Sequence, residues 1–243
     1  GAGGIADRRT IPARLEDNNN ELVAVMDMVP AVAEKIGAKY GVKFFTNEEE
    51  MLKNCDCDAV YIGTRGFKHY DQAMLALKYG KHVFVEKPVC MNAKEGAELV
   101  KAFKEKGKQF TVGYMMKYHN LHVKAKELIS KNAIGQVTNV RTQFSCWYPD
   151  IAGAWRQNKV LSGGGAIMDL AVHCMELFNC VTGEEFEKCS AYFATKTFNY
   201  EVEDSAVILA GQRDQGFTFY ATNGGATDCP VEITVRADGE WIK

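Results

Sequence analysis

Asp169 and His173 stand four residues apart in the apolar stretch Ala166-Ile167-Met168-Asp169-Leu170-Ala171-Val172-His173. On a helix that spacing puts both side chains on one face. A carboxylate beside an imidazole can orient the ring and favour its protonated form. Polar groups among apolar neighbours are costly unless they are satisfied or line a cleft. Two readings are therefore open: a satisfied Asp–His pair in a core, or an acid–base pair at a site. Three glycines, Gly163-Gly164-Gly165, lead into the stretch.

Lys87 lies in the triplet Glu86-Lys87-Pro88, which ends the strand-like run His82–Pro88. Ligands bind outside the carboxyl ends of strands in open α/β sheets. A lysine there can hydrogen-bond a substrate hydroxyl and take part in proton transfer, and Pro88 can fix its direction through a cis bond. The alternative is a lysine paired with a surface acid and a proline that only starts a turn.

The chain opens Gly1-Ala2-Gly3-Gly4-Ile5-Ala6. Gly1-x-Gly3-x-x-Ala6 matches the dinucleotide fingerprint with alanine in the last place. Backbone N–H groups of Gly1, Gly3, Gly4 and Ile5 could approach a pyrophosphate at a helix N-terminus. Asp27 closes a strand-like run about 20 residues on, where a carboxylate accepts both ribose hydroxyls and repels a 2′-phosphate. The expected cofactor is NAD rather than NADP. Against this stands a chance glycine loop followed by a surface acid.

These residues need elements to hold them. Residues 21–27, 43–46, 58–64, 82–88 and 109–115 read as strands, the first and third as strands buried on both faces. Helices fall between them. Pro30 suits a first turn, with Val32, Ala33 and Ile36 on one face and Gly41 as the stop. An acidic helix starts at Asn47–Glu50. Tyr70, Ala73, Met74 and Leu77 keep helical spacing up to Gly80. Asn92 with Glu95 makes a capping box, Leu99, Val100 and Phe103 form an inner stripe, and Gly107 ends that helix. Repeated β-α units imply a parallel sheet with helices on both faces.

The second half changes character. A helix covers 120–132 and another surrounds 165–181. Longer alternating strands fall at 136–148, 186–198, 203–212, 216–222 and 230–237. Val140, Phe144 and Cys146 share one face of the first, and Phe217, Phe219 and Ala221 one face of the fourth. This predicts an open, mainly antiparallel sheet. The boundary is expected near 118–120, giving a dinucleotide-binding domain over 1–118 and an α+β substrate and oligomerisation domain over 119–243.

Composition restricts the partners. Lys plus Arg is 29 and Asp plus Glu 31, a net charge of −2, which argues against nucleic acid. No apolar run reads as a membrane span. The eight cysteines include no C-x-x-C pair. They read as thiols packed in a reducing cytoplasm, with no metal site.

In order along the chain stand the glycine loop, Asp27, Thr64 with His69 beyond, Glu86-Lys87-Pro88, Val112-Gly113-Tyr114, Trp155-Arg156, the triple glycine, Asp169 and His173. That set resembles the glucose–fructose oxidoreductase / inositol dehydrogenase (Gfo/Idh/MocA) family of NAD(P)-dependent sugar dehydrogenases, over nearly the whole chain. The resemblance implies a Rossmann domain followed by an α+β domain whose open sheet pairs subunits into homodimers or homotetramers. It implies that Lys87, Asp169 and His173 surround the reacting carbon. It also implies that Thr64, Arg65, His69, Glu86, Trp155 and Arg156 lie near cofactor or substrate, with Tyr114, Tyr148 and Arg156 among the substrate contacts. Two positions depart from the family pattern: Thr64-Arg65-Gly66 stands where Thr-Pro-Asn is frequent, and Glu176 stands where Asp is frequent.

The expected reaction is oxidation of a secondary alcohol of a sugar, inositol or related cyclic polyol, with hydride transfer to NAD⁺. His173 would be the base, Asp169 its support, and Lys87 a hydrogen-bond donor to the same oxygen. Two alternatives keep the fold: a glycosidase working by transient ring oxidation, and a non-catalytic dinucleotide-binding regulator. In this topology a central strand should feed the glycine loop, so its absence before Gly1 would leave neighbours unpaired. The expectation is a sequence that lacks segments of the full protein at both ends.

Overall fold

The computed structural model describes residues 1–185, 187–212, 215–222, 232–237 and 240–242, with backbone alone at 212, 215–220, 232, 235–237 and 240–242. Cys229 and the side chains of Phe217 and Phe219 therefore lie outside the described residues. The chain divides into two compact units, Gly1–Gly113 and Tyr114–Lys243.

In the first unit a π-helical turn, Ala6–Thr10, runs into α1 (Ile11–Leu15). Then come β1 (Ala24–Met26), α2 (Pro30–Tyr40), β2 (Lys43–Phe45), α3 (Glu48–Asn54), β3 (Ala59–Ile62), α4 (His69–Lys78), β4 (His82–Val85), α5 (Ala93–Glu105) and β5 (Phe110–Val112). Local chemistry sets the helix ends. Asn47 Oδ1 accepts the Glu50 N–H at 2.9 Å, and Asn92 Oδ1 accepts that of Glu95 at 3.0 Å. Pro30 takes the first position of α2, and Gly41 closes it with φ +68°. Leu99 and Phe103 are fully buried, but Val100 is 64% exposed. That corrects the expected stripe: at 100° per residue Val100 turns away from the face that Leu99 and Phe103 share.

The strands are parallel but form two pieces, β1–β2 and β3–β4–β5. The single parallel sheet expected from the β-α repeat is corrected accordingly. β1 and β3 are end strands, and both line a cavity of about 740 Å³ that α1, α3 and α4 also border. The open edges explain a second difference. Strands expected to be buried on both faces are only half covered: Val25 alone is buried in β1, and Ile62 alone in β3. β1 keeps three of the seven residues expected.

The second unit holds α6 (Asn120–Ser130), β6 (Val137–Ser145), α7 (Lys159–Ser162), a π-helical turn at Ile167–Ala171 that continues as α8 (Val172–Thr182), and strands β7 (Lys188–Ala194), β8 (Ser205–Gln212), β9 (Gln215–Thr222), β10 (Glu232–Ala237) and β11 (Glu240–Ile242). The sheet order is β11-β10-β6-β9-β8-β7. Every neighbouring pair is antiparallel except β6–β9. α8 covers one face: Cys174, Leu177 and Phe178 are fully buried beside Val140 and Ala221, with Phe144 and Cys146 against the same cluster. One helical stretch, Lys159–Thr182, is long and apolar enough to cross a membrane by length and composition alone. Here the stretch supplies the core of its unit.

Candidate functional site

In the first unit the glycine loop abuts the end of β3. A β-carbon added at Gly1 would lie 3.1 Å from the Gly63 carbonyl oxygen and 3.2 Å from Thr64 Cγ2. Gly4 adopts φ +54°, a conformation that glycine reaches at no steric cost. The Ala2 N–H donates to Asp27 Oδ2 at 3.0 Å, and the Val29 N–H donates to Oδ1 at 3.0 Å. Asp27 thus ties the loop to the end of β1. A carboxylate offers about four acceptor positions, so two bonds leave room for ribose hydroxyls. Close backbone approach and an acid at the strand end fit a dinucleotide. Ile5 and Arg65 are exposed beside these loops.

Glu86 follows β4. Its Oε1 accepts the Tyr61 hydroxyl at 2.8 Å, and Tyr61 in turn accepts the Thr10 hydroxyl at 3.0 Å. Burial holds the Tyr61 hydroxyl above the usual phenol range, so it stays a donor. Gly113 has no side chain where a β-carbon would meet Glu86 Oε2 at 3.2 Å. The next bond, Lys87–Pro88, is cis, and Lys87 is half-buried. Behind it His69 is buried, with Nδ1 2.6 Å from the Pro88 carbonyl oxygen and Nε2 3.3 Å from that of Thr64. The Thr64 hydroxyl donates to Gln72 Oε1 at 2.5 Å. His69 therefore joins the loops after β3 and β4.

In the second unit the triple glycine has a packing cause. Gly163 ends α7 with φ +74°. A β-carbon at Gly165 would sit 1.9 Å from the Glu203 carbonyl oxygen. That approach lets Glu203 Oε1 accept the N–H groups of Gly165 at 2.8 Å and Ile167 at 3.0 Å, while its carbonyl accepts that of Ala166 at 2.9 Å. Glu203 caps the helix that carries Asp169 and His173. Asp169 falls in the π turn and His173 in the first turn of α8; a regular α-helix through both, as the four-residue spacing implies, is corrected to that extent.

Asp169 Oδ1 lies 3.5 Å from Arg156 Nε, and the Arg156 guanidinium stacks 4.5 Å over the Trp155 ring. His173 is buried between aromatic rings, Tyr114 at 6.0 Å edge-on and Phe144 at 5.7 Å. Lys117 Nζ, 3.2 Å from Glu176, links the turn after Tyr114 to α8. Tyr148 contributes its carbonyl oxygen to Tyr200 O–H at 3.2 Å.

Sequence reading missed Glu203, Tyr61 and Lys117. The run Glu201-Val202-Glu203-Asp204 before an apolar strand was the available signal for the first. The thiols of Cys55, Cys90 and Cys174 are not activated nucleophiles. Burial raises Cys55 and Cys90, and pushes Cys174 up to about 11. Among the described residues no three His, Cys, Asp or Glu side chains group to hold a metal ion.

Known proteins bear on this arrangement. Residues 1–114 match the model of the oxidoreductase family with an NAD-binding Rossmann fold, and residues 122–238 match the GFO/IDH/MocA C-terminal domain. The chain is 32% identical to Oxidoreductase P35 of Formosa agariphila, over 76% of this chain and 59% of that protein. It is 29% identical to the 1,5-anhydro-D-fructose reductase of Ensifer adhaerens, over 79% and 58%. It thus spans under two thirds of these curated relatives. The crystal structure of aldose-aldose oxidoreductase from Caulobacter crescentus complexed with glycerol superposes with a TM-score of 0.90 at 25% identity, covering 99% of this chain and 73% of that one. With both halves matched and the fold shared, the chain belongs to the Gfo/Idh/MocA oxidoreductase family.

Proposed function

We propose that this chain interconverts a secondary alcohol of a sugar, inositol or related cyclic polyol and the corresponding ketone, with NAD as hydride carrier. The observation that carries the reading is the helix start in the second unit. There Asp169, ion-paired to Arg156, and His173, seated between Tyr114 and Phe144, share one capped helix. The names of the relatives, a 1,5-anhydro-D-fructose reductase and a D-glucoside 3-dehydrogenase among them, point to the same substrate class.

When bound, the nicotinamide supplies the hydride acceptor. The chain's residues do the rest. Gly1, Gly3, Gly4 and Ile5 present backbone N–H groups to the phosphates, and Asp27 takes the ribose hydroxyls. That carboxylate favours NAD over NADP. Glu86, held by Tyr61, and Thr64, held by Gln72, border the same cofactor with Arg65, Trp155 and Arg156. His69 is read here as a positioning residue for the Lys87 turn, since its ring nitrogens face carbonyl oxygens. Lys87 donates a hydrogen bond to the reacting oxygen, and His173 removes the hydroxyl proton as the C–H hydride leaves. Asp169 supports the charge that His173 acquires, and Tyr114, Tyr148 and Arg156 contact the remaining hydroxyls.

A second copy docks through the C-terminal sheet, giving a homodimer or homotetramer. Tyr192 and Leu209 stand 69% and 56% exposed on paired strands. Light scattering on the purified chain measures this directly, and a monomer would refute it. The seven described cysteines are free thiols, in keeping with a reducing cytoplasm. The reaction is tested by NAD⁺ reduction across a panel of sugars and inositols. Turnover that survives both Lys87→Ala and His173→Ala would overturn the assignment.

A further inference from the structure

We propose that Gln72 and Glu48 are positioning residues for the cofactor. Together they turn the Thr64 hydroxyl into a pure acceptor, so that its partner is an O–H or N–H donor on the nicotinamide half of the dinucleotide and not a phosphate. This rests on the NAD reading above and states how one end of that cofactor is held.

Three side chains from three elements make one run of hydrogen bonds. Gln72 Nε2 donates to Glu48 Oε2 at 2.5 Å, and Gln72 Oε1 accepts the Thr64 hydroxyl at 2.5 Å. Glu48 opens α3, Gln72 lies in α4 and Thr64 follows β3. The direction of the run is set at its first member. A carboxylate has no proton to give, so the amide turns its NH₂ towards Glu48 and its oxygen towards Thr64. A hydroxyl has one proton, and Gln72 takes it. Thr64 Oγ1 is left with lone pairs to offer a ligand.

Thr64 is held at its other oxygen as well. His69 Nε2 stands 3.3 Å from the Thr64 carbonyl oxygen. His69 and Gln72 are three residues apart on α4 and share a face. One turn of helix therefore fixes both the backbone and the hydroxyl rotor of Thr64. All four of Glu48, Gln72, Thr64 and Gly1 border the cavity of about 740 Å³, so the run ends beside the glycine loop and not inside a core.

That loop decides which end of the cofactor meets Thr64. A β-carbon on Gly1 would lie 3.2 Å from Thr64 Cγ2, while the next residue, Ala2, donates to Asp27 Oδ2 at 3.0 Å. The loop thus runs between Asp27 at the end of β1 and Thr64 at the end of β3. Phosphates on the loop and the adenosine ribose on Asp27 leave the nicotinamide half to the Thr64 side. That half carries two kinds of donor, the ribose hydroxyls and the carboxamide NH₂.

The test is calorimetric binding to the intact chain. NAD⁺ is compared with ADP, which ends at the pyrophosphate, with ADP-ribose, which adds the second ribose, and with nicotinic acid adenine dinucleotide, which lacks the carboxamide NH₂. Gln72→Leu should weaken NAD⁺ about fivefold, the scale of one hydrogen bond, and leave ADP unchanged. Gln72→Glu sets two carboxylates together and should also weaken NAD⁺. Adding Glu48→Gln to Gln72→Glu restores the order, because the new amide donates to the new carboxylate, which still accepts the Thr64 hydroxyl. NAD⁺ affinity in that exchange should return to within about a factor of two of the unaltered chain. A Gln72→Leu loss shared by ADP-ribose makes a ribose hydroxyl the donor, and a loss confined to NAD⁺ makes it the carboxamide; either upholds the proposal. NAD⁺ affinity unchanged in Gln72→Leu, an equal loss for ADP, or no recovery in the exchange would overturn it while the NAD reading stands. An unaltered chain that binds neither NAD⁺ nor ADP would overturn the NAD reading and this proposal together.

Discussion

Gly165 donates its N–H to Glu203 Oε1 at 2.8 Å, and the Glu203 carbonyl oxygen lies where a β-carbon on Gly165 would be, 1.9 Å away. A glycine cluster that could be read as a phosphate loop is here the contact that lets a carboxylate cap the helix bearing Asp169 and His173. Gly165→Ala must therefore push the 202–204 segment and the helix start apart. The expected loss is roughly 3 kcal/mol of stability, read from the urea midpoint. Glu203→Gln keeps an acceptor oxygen and should cost about 1 kcal/mol, and Glu203→Ala about 2 kcal/mol. A Gly165→Ala chain as stable as the parent would show that the segment yields freely.

Arg156 and Asp169 are part-exposed, 44% and 25%, at 3.5 Å. A pair so placed contributes under about 1 kcal/mol to folding, so its consequence belongs to the site. Arg156→Ala should leave the melting temperature nearly unchanged and lower kcat about tenfold or more. In a double-mutant cycle with Asp169→Asn the second substitution should add little. Fully additive losses would mean that the two residues act separately.

His69 makes stability depend on pH. Burial, the largest influence, lowers its pKa below 6.5, although its carbonyl partners pull the other way. The unfolded chain then binds the proton more readily than the folded one, so stability rises with pH. The His69 contribution is fully present above about pH 6.5 and is lost as pH falls through the lower folded value. His69→Asn should flatten the melting temperature over that acidic window. It should also raise KM and lower kcat by loosening the Lys87 turn. A slope unchanged by the substitution would assign the pH dependence to other groups.

How much of this was legible beforehand follows the range of each cause. Caps and stops depend on near neighbours, and Asn47, Asn92, Gly41 and Gly107 behave as their types require. Asp169 and His173 were visible because they are polar in an apolar run. Glu203 was not: it acts 38 residues along the chain from Gly165, and no periodicity reports such a contact. Tyr61 sat unnoticed in a strand because its type reads as core. The parallel pairing of β6 with β9 joins strands separated by helices and two other strands, which alternation alone cannot disclose. The edges of β1 and β3 depend on what lies beside them rather than on their own residues.

Asp27 carries the expected cofactor choice, and its carboxylate also accepts the Ala2 N–H. Asp27→Asn removes the charge and keeps one acceptor oxygen for the Ala2 N–H, while the Val29 N–H loses its acceptor. The NADP⁺ to NAD⁺ ratio of kcat/KM should rise about tenfold, since one like-charge repulsion near a phosphate is of that order. A ratio that does not move would place cofactor discrimination on other residues.

His173 and Lys87 are assigned different moments of one step, and that difference can be read. His173→Ala removes the proposed proton acceptor, so kcat should fall about 10²- to 10⁴-fold while NAD⁺ affinity, followed by protein fluorescence, stays within a factor of two or three, roughly 0.6 kcal/mol. Added imidazole should restore part of the rate, because the seat between Tyr114 and Phe144 is left open to a small base. Lys87→Met removes the proposed hydrogen bond to the oxygen and should lower kcat without imidazole rescue. With substrate deuterated at the reacting carbon, both variants should show a full isotope effect, since bond breaking then limits the rate. Rescue of Lys87→Met by imidazole, or none for His173→Ala, would reverse the roles given to the two residues.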